Sequence, residues 1–308
     1  MELRQLRHFV AVVRLASMSA AAEALGLTQP ALSKSIRMLE RSLGVRLLDR
    51  GPTGVRMTLF GERLKAYADM VLALSDEALE ELDALRGARR GSLRIGCVAA
   101  VLRSLVPQAV AGLRERYPDV DIIVSEGLND TLIDALRSGR LDVAIMARPE
   151  GSGDPDLDFR ILLEEPIEFI AGPHHPLADR TSVGLAELVP FSWLVPPRPE
   201  PDRLKLDGLF IGADLPRPHT AIETTSVVFL SAVLMDTNHL SYVTRSSLQA
   251  QTTLHARACE QIIVPLRLSF PTWTRKTCAV FRRQSVVRPT VLAFIRQVEA
   301  ICATLWRE

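Results

Sequence analysis

The sequence predicts an α/β protein with an N-terminal, all-α winged helix-turn-helix and a larger C-terminal module of two lobes. Residues 19–56 contain two short helix patterns, a tight turn and a basic hairpin pattern. The 25 residues from Glu62 to Arg86 include neither glycine nor proline, and from Leu93 onward strand patterns alternate with helix patterns. Because 308 residues exceed what one ordinary core accommodates, two or three domains are expected.

The second and third helices are predicted from their ends. Gly26 is placed to end the second helix in a left-handed conformation, which other residues adopt at a cost. Thr28 is the expected N-cap of the third helix, and Pro30 falls in its first turn, where a missing N–H loses no hydrogen bond. Four apolar residues at i, i+4, i+7 and i+11 form the expected inward face: Leu32, Ile36, Leu39 and Leu43.

The outward face of the third helix combines an amide, a hydroxyl and three cations, with no acid among them. Glutamine can pair with adenine, serine with base edges or phosphate, and lysine or arginine with guanine or phosphate. An ordinary solvated helix face is the alternative interpretation, although the preceding helix and turn favour a recognition helix. This face comprises Gln29, Pro30, Ser33, Lys34, Arg37 and Arg41.

A basic wing is predicted after the third helix. Residues 46–56 read as a hairpin, with turn chemistry at 51–54, and Arg50 and Arg56 flank that turn. Such a wing places cations near the phosphate backbone or in the minor groove, whereas the alternative is an ordinary exposed loop. We therefore expect residues 1–58 to form a winged helix-turn-helix DNA-binding domain.

Positive charge is concentrated in this predicted domain. Residues 1–58 carry nine Lys/Arg against four Asp/Glu, a net charge of +5, in a chain whose overall formal charge is +1. Residues 59–90 and the remainder of the chain each have a net charge of −2. This distribution is the electrostatic pattern of a domain that contacts phosphates within an otherwise neutral protein.

Residues 59–88 are predicted to be a linker helix that mediates dimerisation. A helix of 25 residues spans about 37 Å, and a lone helix of that length with an apolar seam needs a partner. A second copy of the chain is the simplest partner, while packing against its own chain is the alternative. Dimerisation suits DNA reading because two recognition helices address two half-sites. The seam comprises Leu64, Tyr67, Val71, Leu74, Ala78, Leu82 and Leu85.

Residues 89–308 are predicted to form a two-lobed effector-binding domain. Their β-α-β-α-β order indicates a mostly parallel sheet, in which ligands bind beyond the carboxyl ends of the strands. Residues 162–172 read as extended chain that enters a second lobe, so lobe I would comprise about 93–164 and 268–308, and lobe II about 165–267. The expected ligand-side strand ends are Cys97–Val101, Gly127–Asn129 and Ala147–Arg148.

Several other classes of protein are not indicated. The four cysteines form no CxxC pair, so we expect no metal site and no disulfide framework. Motifs for nucleotide, metal-hydrolase or serine-hydrolase chemistry are absent, so we expect no catalytic residues, no cofactor and no enzyme activity. A DNA-architectural protein would not need so large a lobed domain. Without a signal peptide or a long apolar run, we expect a cytoplasmic protein with no membrane partner.

A further pattern in the N-terminal region is carried by Leu6-Arg7-His8-Phe9, Ala20-Ala21-Ala22-Glu23-Ala24-Leu25, Thr28-Gln29-Pro30-Ala31-Leu32-Ser33, Ile36, Leu39-Glu40, Leu43-Gly44 and Leu47-Leu48-Asp49-Arg50. Thr58 and Gly61 follow at the junction between wing and linker helix. With these motifs the chain resembles the LysR-type transcriptional regulators, strongly over residues 1–150 and weakly over 180–290. Residues 91–96 and 136–145 match segments of that family's effector domain.

This resemblance implies a homodimer or homotetramer that binds promoter DNA, with RNA polymerase as a candidate partner. It also implies a periplasmic-binding-protein-like domain that senses a small molecule. Matching the family's DNA-contact positions indicates Gln29, Pro30, Ser33 and Lys34 on the third helix and Arg50 and Arg56 on the wing. Matching its effector pocket indicates Ala99, Ala100, Val101, Asn129, Arg148, Thr225 and Ser226.

The effector is predicted to be a small organic acid, a class that here includes aromatic acids. Arg148 follows a buried strand pattern, and a guanidinium at the cleft can hold a carboxylate through two hydrogen bonds. A structural salt bridge is the alternative role for Arg148. A second functional hypothesis is redox sensing through Cys259 or Cys278. Buried, inert cysteines are more frequent in proteins than redox-sensing ones, which argues against this hypothesis.

Overall fold

The computed structural model describes residues 1–51, 54–85, 92–149, 154–198, 200–249, 263–283 and 287–305. The chain divides into two compact units. One comprises residues 1–91 with 134–140, and the other comprises residues 92–133 with 141–308.

The N-terminal unit contains four helices and a two-stranded hairpin within its described residues. Gly26 adopts φ +64 after the second helix, and Gly44 adopts φ +71 at the end of the third, so both helices stop at left-handed glycines. The Thr28 Oγ1 accepts a hydrogen bond from the Ala31 N–H at 3.3 Å, which confirms the predicted N-cap. The elements are α1 Leu3–Leu15, α2 Met18–Ala24, α3 Gln29–Leu43, β1 Leu48–Gly51, β2 Gly54–Met57 and α4 Leu59–Leu85.

The inward face of α3 lies in the core of this unit. Leu32, Ile36 and Leu39 are fully buried and pack in one cluster with Phe9 of α1. Leu43, predicted to be buried with them, is instead 38% exposed. It is the last residue of α3, where the chain turns at Gly44. The three buried side chains anchor the helix, so its opposite face points to solvent.

A glycine is required at position 61, in the first turn of α4, because the backbone of Leu47 lies close to it. The Gly61 N–H donates to the Thr58 Oγ1 at 3.1 Å, and that hydroxyl donates to the Arg46 carbonyl oxygen at 2.7 Å. A Cβ on Gly61 would lie 2.1 Å from the backbone carbonyl oxygen of Leu47, which cannot move away as a side chain can. The hairpin therefore meets α4 at a point that accommodates no side chain.

The substitution Gly61→Ala is expected to destabilise the N-terminal unit by about 1–3 kcal/mol, the range for forced overpacking. Thermal unfolding followed by circular dichroism measures this loss. The matched control is Gly208→Ala, also in a helix, where a Cβ would meet nothing within 4 Å. Equal stability of the two variants would contradict the close-approach explanation.

The C-terminal unit is built around a mixed sheet. Its helices, with the one at 129–137 shared between the two units, are α5 Leu105–Arg116, α6 Asn129–Arg137, α7 Pro201–Gly212, α8 Val227–Met235 and α9 Pro289–Leu305. The strands are β3 Ser92–Cys97, β4 Asp121–Glu126, β5 Val143–Ala147, β6 Leu157–Ala171, β7 Trp193–Val195, β8 Thr220–Glu223, β9 Leu240–Thr244, β10 Val264–Pro265 and β11 Thr274–Arg282.

The strand order is β4-β3-β5-β11-β6-β9-β7-β8, with β10 also paired to β6. At one end of the sheet β3 is parallel to both β4 and β5, and at the other β7 is parallel to β8 and β9. The central pairings are antiparallel: β11 with β5 and β6, and β6 with β9. The expectation of a mostly parallel sheet therefore holds at the two ends of the sheet, whereas its centre is antiparallel.

The long strand β6 connects two separate hydrophobic cores. Residues 157–166 pair with β11, and residues 167–171 pair with β9. One core lies around Leu93, Ile145 and Phe294, and another lies around Phe169, Trp193 and Phe210. We use lobe I for the part around the first core and lobe II for the part around the second. The boundaries given above for domains and lobes stay predictions.

Candidate functional site

The outward face of α3 presents a polar, cationic surface. Gln29, Pro30, Lys34 and Arg37 are exposed, and Ser33 is half-buried. These residues lie opposite the buried leucine and isoleucine side chains of the same helix. Thus the structure places together the five residues predicted on this helix to contact DNA.

The wing is an antiparallel hairpin of β1 and β2, in which Asp49 is opposite Arg56 and Arg50 is opposite Val55. The Val55 N–H donates to the carbonyl oxygen of Ala16 at 3.0 Å, which ties the hairpin to the end of α1. Arg56 is exposed, and Arg50 lies in β1. Residues 52–53 of the turn predicted at 51–54 lie outside the described residues.

The linker helix α4 has a buried side and an exposed apolar side. Ala68 is 1% exposed and packs in the core of the N-terminal unit. Tyr67, Leu74 and Leu82 of the predicted seam are 66%, 60% and 51% exposed, respectively. A large apolar surface of this kind is typical of an interface with another chain.

A cavity of about 730 Å³ lies between lobe I and lobe II. Ala99 and Ala100, in a 3-10 turn after β3, line it from lobe I, and Thr225 lines it from lobe II. Its volume falls in the range of pockets that bind small organic molecules. Three of the seven predicted effector residues are therefore brought to one cavity.

The other four predicted effector residues are not among the lining residues. Val101 is buried in the core of lobe I. The buried Asn129 donates its Nδ2 to the Ala147 carbonyl oxygen at 3.0 Å, and the Ser226 Oγ caps α8 by accepting from the Phe229 N–H at 3.2 Å. Arg148 is exposed, and its backbone N–H donates to the Lys276 carbonyl oxygen at 2.7 Å.

The arginine that lines the cavity is Arg275 of β11. Its guanidinium forms an ion pair with the buried carboxylate of Asp202, at the start of α7. The Asp202 Oδ1 also accepts a hydrogen bond from the Trp273 Nε1 at 2.8 Å. Burial by itself lowers the pKa of Arg275, but Asp202, Tyr242 and Glu200 together raise it, so the guanidinium is charged. Both α7 and this ion pair were missed by sequence reasoning.

Carboxylates also line the cavity: Glu126, Glu200 and Glu223. Glu126 ends β4 and Glu223 ends β8. The rule that ligands bind beyond the carboxyl ends of strands could have found both residues from the sequence. Burial raises the pKa of Glu200, while Arg275 and the backbone N–H of Asn129 act in the opposite direction.

The cysteines that the structure describes are buried free thiols. Cys278 is fully buried in β11, and burial raises its pKa to about 12, although Arg148 acts in the opposite direction. Burial likewise raises the pKa of Cys97 to about 12 and that of Cys302 to about 11. A thiol becomes a nucleophile only as its thiolate, so these surroundings oppose oxidation at Cys278. Cys259, the other redox candidate, lies outside the described residues.

We expect Cys278 to resist alkylation by iodoacetamide in the native protein near pH 8 because its pKa lies well above that value. Mass spectrometry of the peptide that carries Cys278 measures the labelled fraction. The same reaction in urea is the control and should label this peptide fully. Rapid labelling of Cys278 without denaturant would contradict the buried-thiol description.

Two kinds of feature are absent from the described residues. These residues contain no group of three or more histidine, cysteine or acidic side chains arranged to hold a metal ion. None of the helices described combines the length and apolar character required to span a membrane.

Comparison with known proteins follows the division seen in the structure. Residues 3–62 match the family model described as bacterial regulatory helix-turn-helix protein, lysR family, and residues 86–303 match the LysR substrate binding domain. The transcriptional regulator CbbR of Rhizobium meliloti (strain 1021) is 31% identical over 302 residues, which cover 96% of this chain and 92% of that protein.

Solved structures show the same fold over the whole chain. CbnR, a LysR family transcriptional regulator, aligns with a TM-score of 0.68 at 21% identity and covers 98% of this chain and 99% of its own. Full-length OxyR from Pseudomonas aeruginosa aligns with a TM-score of 0.70 at 21% identity, covering 97% and 98%.

The chain combines a winged helix-turn-helix with a two-lobed domain that contains a cavity. This architecture defines a transcriptional regulator in which DNA binding and effector binding reside on the same chain. The two family models together cover most of the sequence. This chain belongs to the LysR family of DNA-binding transcriptional regulators. It is therefore a regulator rather than an enzyme, and members of its family bind promoter DNA and small-molecule effectors as oligomers.

Proposed function

We propose that the chain binds promoter DNA as a homodimer or homotetramer, and that a small molecule in the cavity between the lobes changes this binding or the resulting transcription. DNA contact is assigned to α3 and the wing. The proposed contact residues are Gln29, Pro30, Ser33, Lys34, Arg37, Arg50 and Arg56.

The observation that carries the DNA-binding proposal is the separation of α3 into a buried apolar face and an exposed cationic face. Lys34 and Arg37 are both exposed and form no ion pair within the described part of the chain. Their charges are therefore available for phosphate or guanine. A structure of CbnR complexed with its target DNA aligns with this chain at a TM-score of 0.67 and 21% identity, which supports the same architecture for a DNA complex.

For the effector we keep Ala99, Ala100 and Thr225 as proposed contact residues because they line the cavity. Val101, Asn129 and Ser226 support its walls through the packing and hydrogen bonds described above. The organic-acid prediction depended on Arg148, which gains no support because this side chain is not part of the lining.

The proposed oligomer uses the exposed seam of α4. Tyr67, Leu74 and Leu82 present apolar area that a second α4 would cover, and burial of apolar surface drives association. A dimer through α4 supplies two recognition helices for two half-sites. RNA polymerase remains a candidate partner at the promoter, and binding to chromosomal promoters implies a cytoplasmic location.

A gel-shift assay with DNA from upstream of the chain's own gene tests this function, with a scrambled fragment of equal length as control. We expect preferential binding to the native fragment and a steep loss of affinity as salt rises, because phosphate contacts release counterions. Analytical ultracentrifugation should show at least a dimer. Equal binding to both fragments, or a monomer at micromolar concentration, would refute the proposal.

A further inference from the structure

The wing begins at two backbone N–H groups that are bonded to α3. The Glu40 Oε1 on α3 accepts a hydrogen bond from the Leu47 N–H at 2.8 Å and a second one from the Leu48 N–H at 3.3 Å. Leu47 directly precedes β1, and Leu48 is the first residue of that strand. One carboxylate oxygen of α3 therefore holds the chain where it enters the wing.

Both N–H groups need an acceptor within the protein. Leu47 and Leu48 are buried and pack in the core of the N-terminal unit. A buried backbone N–H without a partner costs free energy, and a carboxylate accepts a stronger hydrogen bond than a neutral oxygen does. Glu40 is itself half-buried. Its carboxylate is therefore a structural acceptor and not a freely solvated surface charge.

Other hydrogen bonds attach the wing to different parts of the N-terminal unit. The Val55 N–H of β2 donates to the carbonyl oxygen of Ala16, which follows α1, at 3.0 Å. Beyond β2, the Thr58 N–H donates to the carbonyl oxygen of Leu47 at 3.0 Å. The Glu40 hydrogen bonds add the attachment to α3, so they set the position of the wing relative to the helix proposed to read DNA.

The cations of the wing lie close to this attachment. Arg50 follows Leu48 by two residues in β1, a separation of about 7 Å along a strand. Arg56 is opposite Asp49, the residue directly after Leu48, in the antiparallel pairing of β1 with β2. A displacement of the chain at Leu48 therefore moves both cations, because Arg50 shares its strand and Arg56 is paired with its neighbour.

We propose that Glu40 is a positioning residue for DNA binding, which holds the start of the wing against α3 and so sets the position of Arg50 and Arg56 on the DNA. This proposal rests on the DNA-binding function proposed above and adds a residue that acts through the wing. An acidic group near phosphates is in itself unfavourable because like charges repel. Loss of the two hydrogen bonds nevertheless weakens binding, because the wing cations are then no longer aligned with α3.

The test compares two substitutions that separate the reach of the side chain from its charge. Glu40→Asp keeps the charge but withdraws the carboxylate by one carbon–carbon bond, about 1.5 Å, which breaks the hydrogen bonds. Glu40→Gln loses the charge but presents an acceptor oxygen at the original distance. We expect Glu40→Asp to weaken binding of the full-length chain to labelled promoter DNA by about tenfold, the contribution of roughly one contact. Glu40→Gln should bind at least as tightly as the unsubstituted chain.

A double-mutant cycle determines whether the effect passes through the wing. In a chain that already carries Arg50→Ala/Arg56→Ala, the further change Glu40→Asp should alter the affinity by less than about twofold, because no wing cation remains to be displaced. The matched control is Glu23→Asp, which shortens an exposed carboxylate side chain of α2 by the same methylene group. It should leave the affinity unchanged, and thermal unfolding of each variant verifies that it is folded during the assay.

Three results would overturn the role of Glu40. They are unchanged affinity in Glu40→Asp, equal weakening by Glu40→Asp and Glu40→Gln, and an equal effect of Glu40→Asp with and without the two wing arginines. The second would assign the effect to charge, and the third would show that it does not pass through the wing. A full-length chain with no preference for its promoter fragment would refute the DNA-binding function itself, and this role with it.

Discussion

The double substitution Lys34→Ala/Arg37→Ala should weaken binding to the native promoter fragment by about 100-fold, since each base or phosphate contact contributes on the order of 1–3 kcal/mol. Both side chains are exposed on the outward face of α3, and neither belongs to the core of the N-terminal unit. Folding should therefore be unaffected. The slope of log affinity against log salt should become shallower by about 2 if both residues contact phosphate.

Fluorescence anisotropy with labelled promoter DNA at several salt concentrations measures both quantities. The control is Arg217→Ala/Arg296→Ala, which removes two exposed cations from the C-terminal unit. This variant has the same net charge as the α3 variant, so a general electrostatic effect would weaken both equally. An affinity for promoter DNA that is unchanged in Lys34→Ala/Arg37→Ala would exclude α3 as the recognition helix.

The substitution Asp202→Ala should destabilise the C-terminal unit by about 3–5 kcal/mol, because removing one member of a buried ion pair leaves the other charge uncompensated. The Asp202 side chain is 3% exposed and that of Arg275 is 13% exposed. The same change removes the hydrogen bond from Trp273. Unfolding in urea followed by tryptophan fluorescence reports the effect, because Trp193 and Trp273 both pack in the lobe II core.

Asp179→Ala is the control for this prediction, since Asp179 is an exposed carboxylate of lobe II. Its effect on the free energy of unfolding should lie within about 0.5 kcal/mol. A second variant, Asp202→Ala/Arg275→Met, removes both charges and should recover part of the lost stability. Equal stability of Asp202→Ala and Asp179→Ala would show that the ion pair contributes little to the fold.

The DNA-binding end could be predicted in detail because its signals are local. The cap at Thr28, the left-handed Gly26 and the spacing of Leu32, Ile36 and Leu39 act within a few residues of one another. These features define α3 without knowledge of distant contacts. The outward face then follows from the inward one, because a helix with one buried side must expose the other.

Parts of lobe II were missed because their patterns depend on distant partners. Helix α7 buries the polar residues Asp202, Arg203 and Asp207 together with Leu206 and Phe210. The buried face of α7 therefore has no continuous apolar pattern in the sequence. Arg275, which lies 73 positions along the chain from Asp202, makes that burial tolerable. Strand β9 is buried at every residue, so it shows no alternation of polar and apolar positions.

The sequence by itself determined the class of the protein and the extent of α3, and it predicted the edge of the sheet where a ligand would bind. Only the tertiary structure decided which charges line the cavity. Arg148 directly follows β5 and was expected there, yet Arg275 lines the cavity from β11, the strand paired with β5 in antiparallel orientation. Pairing between strands more than 120 positions apart places these side chains. A ligand therefore meets charges that proximity along the chain does not reveal.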